Sequence, residues 1–141
     1  VDAIRSMASG FIFTTSLAPC IVAGARASVE YLKEHNELRE IHQAKVKELK
    51  DKLATCGVPA LETPSHIVPV MVGDPVHCKS ISDALLDRYS VYVQPINYPT
   101  VPRGTERLRF TPGPHHSTED IDHLVYALDQ LWSEMELKRA A

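Results

Sequence analysis

Two arginines in a short alternating segment are the side chains of this sequence best suited to chemistry. Arg107-Leu108-Arg109-Phe110 alternates charged and apolar residues, so a strand here would carry both arginines on one face. A guanidinium held on a strand can grip a carboxylate through two parallel hydrogen bonds. The pattern therefore predicts an anion site at Arg109. A structural ion pair with Glu106 or with an acidic helix residue is the alternative.

Proline-rich loops flank this segment on both sides. Five of the ten prolines lie between Tyr92 and His116, and each fixes its own φ and biases the preceding residue towards extended backbone. Thr100 falls at the tip of the first loop, where a rigid loop can present a substrate contact. His115 and His116 lie in the second loop. Adjacent histidines before a helix cap commonly make loop hydrogen bonds, and no third ligand is spaced to complete a metal site.

A hydroxyl cluster lies near the start of the chain. Thr14, Thr15 and Ser16 precede a predicted helix that begins near Pro19. Hydroxyls before a helix amino terminus suit the binding of a phosphate. Ordinary helix capping is the alternative interpretation of the same residues.

The predicted elements give an α/β fold. We expect helices over 20–34, 37–56, 74–88 and from Ser117 onwards, and strands over 66–73, 91–94 and 107–111. Gly10 is a predicted helix stop, Pro69 must occupy an edge strand or a bulge, and Ser117 with Asp120 resembles a capping box. The order indicates a small two-layer α/β unit with helices on a short mixed or antiparallel sheet. The first residues look attached to something else, with a boundary between Glu34 and Glu40.

Composition excludes several classes of function. The 141 residues carry 15 basic and 18 acidic side chains for a net charge of −3, and the mixed signs argue against a nucleic-acid partner. The longest uncharged run is interrupted by Ser, Thr, Gly and Pro, which makes it a poor membrane span. Three cysteines without a C-x-x-C pair indicate neither a disulfide framework nor a zinc site, and favour a reducing compartment.

Three segments together carry a family resemblance. FIFTTSLAP, HIVPVMVGDP and YVQPINYPTVPRGTERLRFTPGPHH closely resemble the 5-aminolevulinate synthases, a branch of the α-oxoamine synthases and of the pyridoxal-phosphate enzymes with the aspartate aminotransferase fold. The resemblance covers essentially the whole chain and looks like the carboxyl-terminal portion of a bacterial member. It implies that 1–36 are the end of a large PLP-binding domain and a linking helix. Residues 37–141 would form the small carboxyl-terminal α/β domain.

The resemblance also implies roles for four residues. Thr14 and Thr15 match hydroxyl residues that contact the phosphate of pyridoxal 5'-phosphate, across the dimer interface in the neighbouring subunit's site. Thr100 matches a substrate contact near succinyl-CoA, and Arg109 matches the arginine that binds the carboxylate of glycine. No catalytic residue is implied within this chain, because the lysine that anchors the cofactor would precede Val1. The chain alone is therefore expected to be inactive.

The implied enzyme condenses glycine with succinyl-CoA to give 5-aminolevulinate, CoA and CO2, the first step of tetrapyrrole and heme biosynthesis. The resemblance implies a bacterial, cytoplasmic homodimer with its active site at the subunit interface, and no nucleic acid, membrane or metal partner. Two sister activities are alternatives, 2-amino-3-ketobutyrate CoA ligase and 8-amino-7-oxononanoate synthase, although the loop around Thr100 favours succinyl-CoA. A non-catalytic binding or dimerisation module is a further alternative.

Overall fold

The chain divides into two compact units. The computed structural model describes residues 1–12 and 17–140, and contacts between Cα atoms separate Val1–Asn36 from Glu37–Ala141. The first unit contains three helices: α1 (Asp2–Met7), α2 (Ser9–Ile12) and α3 (Pro19–Glu34). The second contains α4 (Glu37–Thr55), β1 (Val68–Met71), α5 (Pro75–Tyr89), β2 (Gln94–Ile96), β3 (Arg107–Phe110) and α6 (Thr118–Glu134).

The first unit presents apolar side chains on its surface. Pro19 occupies the first turn of α3 as predicted, since its fixed φ suits that position. Neither α1 nor α3 has a buried residue, and Ile21 and Val29 of α3 are 64% and 56% exposed. The predicted helix stop at Gly10 is wrong: Gly10 lies inside α2, and the break falls at Ala8, whose backbone is extended.

The sheet of the second unit is wholly antiparallel, with strand order β1-β3-β2. Pro69 lies on the edge strand β1, as predicted. Its carbonyl accepts a hydrogen bond from the Leu61 N–H at 2.8 Å on the side away from β3, so the ladder to β3 does not need the N–H that proline lacks.

Three helices cover one face of this sheet. The core joins Val68, Val70, Leu108 and Phe110 of the sheet to the inward side chains of α4, α5 and α6. The buried apolar residues of these helices are Val46, Leu49, Leu53, Cys78, Ile81, Leu85, Ile121, Ala127, Leu128, Leu131 and Trp132. The result is a two-layer α/β unit whose second sheet face carries Arg107 and Arg109.

The second strand begins later than predicted. We expected it over 91–94, whereas β2 starts at Gln94. The preceding residues close the end of α5 instead: Ser90 is left-handed with φ 57°, and the Val91 N–H donates to the Leu85 carbonyl at 2.9 Å. The Val93 carbonyl is taken by the Ser82 hydroxyl at 2.8 Å, so the ladder can form only from Gln94.

Side-chain caps fix the starts of two helices. The predicted capping box of α6 is confirmed, because Ser117 Oγ accepts from the Asp120 N–H at 3.1 Å and Asp120 Oδ2 accepts from the Ser117 N–H at 2.8 Å. Asp74 caps α5 in a similar way, accepting from the N–H groups of Val76 and His77. These caps fix where the loops that follow β1 and β3 must end.

None of the helices in the described part of the chain is long and apolar enough to cross a membrane.

Candidate functional site

The alternation of β3 places its two arginines on the face opposite the helices. Leu108 is fully buried and Phe110 is 6% exposed, so the intervening side chains must point the other way. The ladder pairs Arg109 with Pro69 on one side and Gln94 on the other. Arg109 therefore lies on the open face of the central strand, between the ring of Pro69 and the side-chain amide of Gln94.

Among the arginines of this region, Arg109 is the one whose guanidinium has no partner in the described part of the chain. Arg107 donates its Nε–H to the Thr105 carbonyl at 2.9 Å, and Arg103 lies over the Tyr98 ring with 4.9 Å to the centroid. Arg109 is exposed and forms no hydrogen bond or ion pair with the residues that the structure describes. The alternative of an ion pair with Glu106 is wrong, because that carboxylate is buried and accepts from the Gly104 N–H instead. All of the guanidinium donors of Arg109 are thus available to an anion.

A cleft of about 810 Å³ opens beside Arg109. Its volume lies within the range of small-molecule sites. The apolar part of its wall includes Leu49, Val93, Phe110, Ile121 and Leu124, and the polar part includes Tyr92, Gln94, Arg109, Thr111, His116, Asp120 and His123. Tyr92 Oη donates to Gln94 Oε1 at 2.9 Å, which fixes this amide beside Arg109.

The histidines of this cleft are engaged in backbone hydrogen bonds. His116 Nδ1 accepts from the Gly113 N–H at 2.8 Å, so a neutral His116 carries its proton on Nε2. His123 Nε2 lies 2.8 Å from the Tyr89 carbonyl. The predicted role of His116 in loop hydrogen bonding is therefore confirmed. Within the described ranges, no group of three or more His, Cys, Asp or Glu side chains is arranged to hold a metal ion.

Asp120, which lines the cleft, has a lowered pKa. The Ser117 N–H and hydroxyl lower the pKa of Asp120, and the nearby His116 and His123 lower this pKa further. Asp120 therefore keeps its negative charge as the pH falls below the usual range of an aspartate, and it adds an anion to the lining of the cleft.

Thr100 lies in a different place from Arg109. It belongs to the loop between β2 and β3, residues 97–105, which we call the Thr100 loop. Its N–H donates to the Asn97 carbonyl at 2.9 Å, and its side chain is exposed. The ladder pairs Ile96 with Arg107, next to the Thr100 loop, and Gln94 with Arg109, further from it. Thr100 does not line the cleft that contains Arg109, so the chain places its two predicted substrate residues apart.

Thr14, Thr15 and Ser16 lie outside the described residues. Two residues near Arg109 and the Thr100 loop were not predicted to have a role. Gln94 was assigned to a strand without a role, and the burial of Glu106 was not foreseen. The alternation that singled out Arg109 also places Glu106 on the buried side with Leu108 and Phe110, which was a usable signal.

Comparison with known proteins supports the resemblance carried by the motifs. The model of the class I and II aminotransferase family matches residues 1–128. The chain is 61% identical over 139 residues to 5-aminolevulinate synthase 1 of Cereibacter sphaeroides, covering 99% of this chain and 34% of that protein. It is 58% identical over 142 residues to 5-aminolevulinate synthase of Rhodobacter capsulatus, covering 99% and 35%.

A solved structure agrees with this assignment. A serine palmitoyltransferase from S. paucimobilis with a bound PLP–myriocin aldimine superposes with a TM-score of 0.87 at 30% identity, covering 96% of this chain and 34% of the other. This chain spans about a third of the length of the curated relatives that it matches. The family model covers most of the chain, and the fold agrees with that of the solved relative. The chain therefore belongs to the class I and II aminotransferase family.

Proposed function

We propose that this chain forms the carboxyl-terminal third of a 5-aminolevulinate synthase. That enzyme condenses glycine with succinyl-CoA and releases 5-aminolevulinate, CoA and CO2. Identities of 58–61% to bacterial proteins of that name support the proposal. So does the segment from Asn97 to Arg109, whose resemblance is specific to this branch.

The unpaired guanidinium of Arg109 is the observation that carries the proposal. Glycine offers a carboxylate and no side chain, so its orientation depends on how that carboxylate is held. A guanidinium on a strand that is paired on both sides can hold it by two parallel hydrogen bonds. Arg109 would thereby orient the bonds at the glycine Cα and exclude rotated poses.

The residues near the start of the chain fit the phosphate of pyridoxal 5'-phosphate. Three hydroxyl residues, Thr14 to Ser16, precede α3, whose amino terminus has no side-chain cap at Ala18. A helix amino terminus of this kind favours an anion. We assign Thr14 and Thr15 to the cofactor phosphate. When bound, the cofactor supplies electron withdrawal from the glycine Cα, and the lysine that anchors it would lie in the part of the enzyme that precedes this chain.

We further propose that the first unit packs against the large domain or the second subunit of a homodimer. The exposed apolar side chains Ile21, Val22 and Val29 of α3 support this assignment, since a stripe of this kind is stable when another surface covers it. The bacterial relatives support a location in the bacterial cytoplasm. Each active site would then combine residues of both subunits.

A panel of acyl donors tests the function. The full-length protein is incubated with pyridoxal 5'-phosphate, glycine and either succinyl-, acetyl- or pimeloyl-CoA, and CoA release and the aminoketone product are measured. We expect kcat/KM for succinyl-CoA to exceed that for the other donors by at least about a hundredfold, because acetyl-CoA lacks a terminal carboxylate and pimeloyl-CoA carries its carboxylate farther from the thioester. Preference for acetyl- or pimeloyl-CoA would assign a sister activity. No turnover with any donor would favour a binding module.

A further inference from the structure

Glu106 is a buried glutamate that forms no ion pair with the residues that the structure describes. It directly precedes β3 and continues the buried side of the alternation with Leu108 and Phe110. Its side chain is fully buried. Ion pairs with the neighbouring Arg107 and Arg109 do not form in the described part of the chain, since both arginines lie on the opposite face. Burial of a carboxylate without a cationic partner destabilises the fold, so its presence here indicates a role other than packing.

The hydrogen bonds of Glu106 join the end of the Thr100 loop to the segment between β1 and α5. Its Oε2 accepts from the Gly104 N–H at 2.8 Å. Its backbone carbonyl accepts from the N–H groups of Val72 and Gly73 at 2.9 and 3.0 Å, which joins it to the segment between β1 and α5. Its Oε1 is buried and has no hydrogen-bond partner among the residues described. Glu106 therefore ties the loop to the body of the domain with a single carboxylate oxygen.

Asn97 makes the matching attachment at the other end of the Thr100 loop. Its Nδ2 donates to the carbonyl of Pro75, the first residue of α5, at 3.2 Å. Its Oδ1 is also buried without a partner in the described ranges. Buried polar atoms without partners destabilise a fold. In the described part of the chain, the buried side-chain atoms without a partner are Asn97 Oδ1 and Glu106 Oε1, one at each attachment of this loop. Their retention despite the cost in stability indicates that the position of the loop matters for function.

Between these attachments the loop is held by two backbone turns. The Thr100 N–H donates to the Asn97 carbonyl at 2.9 Å, and the Thr105 N–H donates to the Pro102 carbonyl at 3.1 Å. Gly104 has φ 82°, a conformation that few other residues adopt. Glu106 accepts from the N–H of this left-handed residue, so the carboxylate and the glycine together set how the loop leaves β3.

We propose that Glu106 is a positioning residue for the acyl-CoA substrate, acting through Gly104 to fix the Thr100 loop. This inference rests on the proposed function for the assignment of Thr100 to the acyl donor. Glycine binding is independent of Glu106, because Arg109 is held by the ladders to β1 and β2 and points to the other face. The two substrates are therefore predicted to respond differently to substitutions at Glu106.

Kinetics of three variants of the full-length enzyme test the inference. Glu106→Ala is expected to raise the KM for succinyl-CoA by about tenfold and to change the KM for glycine by less than about twofold. Glu106→Gln keeps an acceptor oxygen for the Gly104 N–H and is expected to restore most of the succinyl-CoA affinity. Glu62→Ala removes an exposed glutamate and serves as the matched control, with both KM values unchanged.

Gly104→Ala provides a second test that leaves the core intact. No atom lies within 4 Å of the position that its Cβ would occupy, so the substitution adds only backbone strain at φ 82°. It is expected to raise the KM for succinyl-CoA and to spare glycine, as Glu106→Ala does. If Glu106→Ala does not fold, the two KM values of Gly104→Ala test whether the position of the loop affects succinyl-CoA binding.

A protease readout separates this inference from the proposed function. Trypsin can cut after Arg103, which is exposed in the Thr100 loop. Cleavage on the carboxyl side of Arg103, followed by mass spectrometry, is expected to be faster in Glu106→Ala and Gly104→Ala than in the wild type and Glu62→Ala. Unchanged cleavage in these folded variants, or equal rises of both KM values, would overturn the inference. A wild type that makes no 5-aminolevulinate would overturn the proposed function and, with it, the assignment of the loop to acyl-CoA, whereas faster cleavage in the two variants would still support the positioning of the loop by Glu106.

Discussion

The short segment from Glu106 to Arg109, at the start of the central strand β3, is involved in both of the substrate assignments that we propose. Arg109 uses the open face of β3 and leaves its guanidinium unpaired, whereas Glu106 uses the buried face and holds the Thr100 loop through Gly104. Alternation separates the two roles by direction, although the residues are three apart in sequence. A change on one face should therefore affect one substrate and spare the other.

The two residues were not equally predictable. The anion-binding role of Arg109 could be inferred from local alternation, because a cationic side chain between two core residues favours binding of an anion. The same alternation places Glu106 on the buried side, but its complete burial also depends on contact with the segment between β1 and α5. Its loss of solvent is a tertiary effect. The two hydroxyl residues Thr14 and Thr15 stay predictions.

At the scale of elements, charged side chains join α4 to α6 across the surface of the second unit. Glu48 lies between two lysines of α4, with Lys45 Nζ at 2.9 Å from Oε2 and Lys52 Nζ at 2.9 Å from Oε1. Lys45 also donates to Thr118 Oγ1 at 2.9 Å, and Lys52 pairs with Asp122. Glu48 thus orients both lysines towards the start of α6.

This network predicts a pH dependence of stability. The hydrogen bonds from Lys52, and then from Lys45, lower the pKa of Glu48 from 4.5 to about 2. A lowered pKa means that the unfolded chain binds the proton more readily, so this contribution to stability is complete above pH 4.5 and is lost as the pH falls towards 2. The free energy of unfolding of Glu48→Gln should depend less on pH across this window. Urea unfolding at several pH values measures this free energy, and Glu62→Gln is the control. If the free energy of unfolding of Glu48→Gln changed with pH as much as that of the wild type, the assigned role of Glu48 would be wrong.

The capping box of α6 gives a second prediction about an element. Ser117→Ala removes the acceptor of the Asp120 N–H and should destabilise the domain by about 1 kcal/mol. Ser80→Ala alters an exposed serine inside α5 and should leave the free energy of unfolding nearly unchanged. Urea denaturation of the two variants beside the wild type tests this. Equal stability of Ser117→Ala and Ser80→Ala would show that the cap does not hold the helix.

Most elements followed from sequence because their signals are local. Periodicity predicted α4 and α6, and Pro19 and Ser117 marked helix starts that the structure has. The start of β2 could not be predicted, since Val91 and Val93 read as strand residues but give their backbone groups to Leu85 and Ser82. Two helix residues thus compete with the sheet for the same segment, and local propensity does not record that competition.

At the scale of the whole molecule, the chain holds part of a site. The second unit has its own core and supplies Arg109 and the Thr100 loop, while the first unit exposes an apolar stripe on α3. The chain spans about a third of its curated relatives. We therefore propose that this chain supplies residues that hold the substrates and that another part of the enzyme anchors the cofactor.

The KM for glycine of Arg109→Leu in the full-length enzyme tests the central claim most directly. Loss of a bidentate contact with a carboxylate should raise this KM by about a hundredfold, with the absorbance of the bound cofactor unchanged. Arg107→Leu is the matched control, because Arg107 lies on the same strand and face but gives its Nε–H to the Thr105 carbonyl. It should change the KM for glycine by less than about threefold. A glycine KM that is unchanged in Arg109→Leu, or raised equally in both variants, would contradict the assignment of Arg109 to the glycine carboxylate.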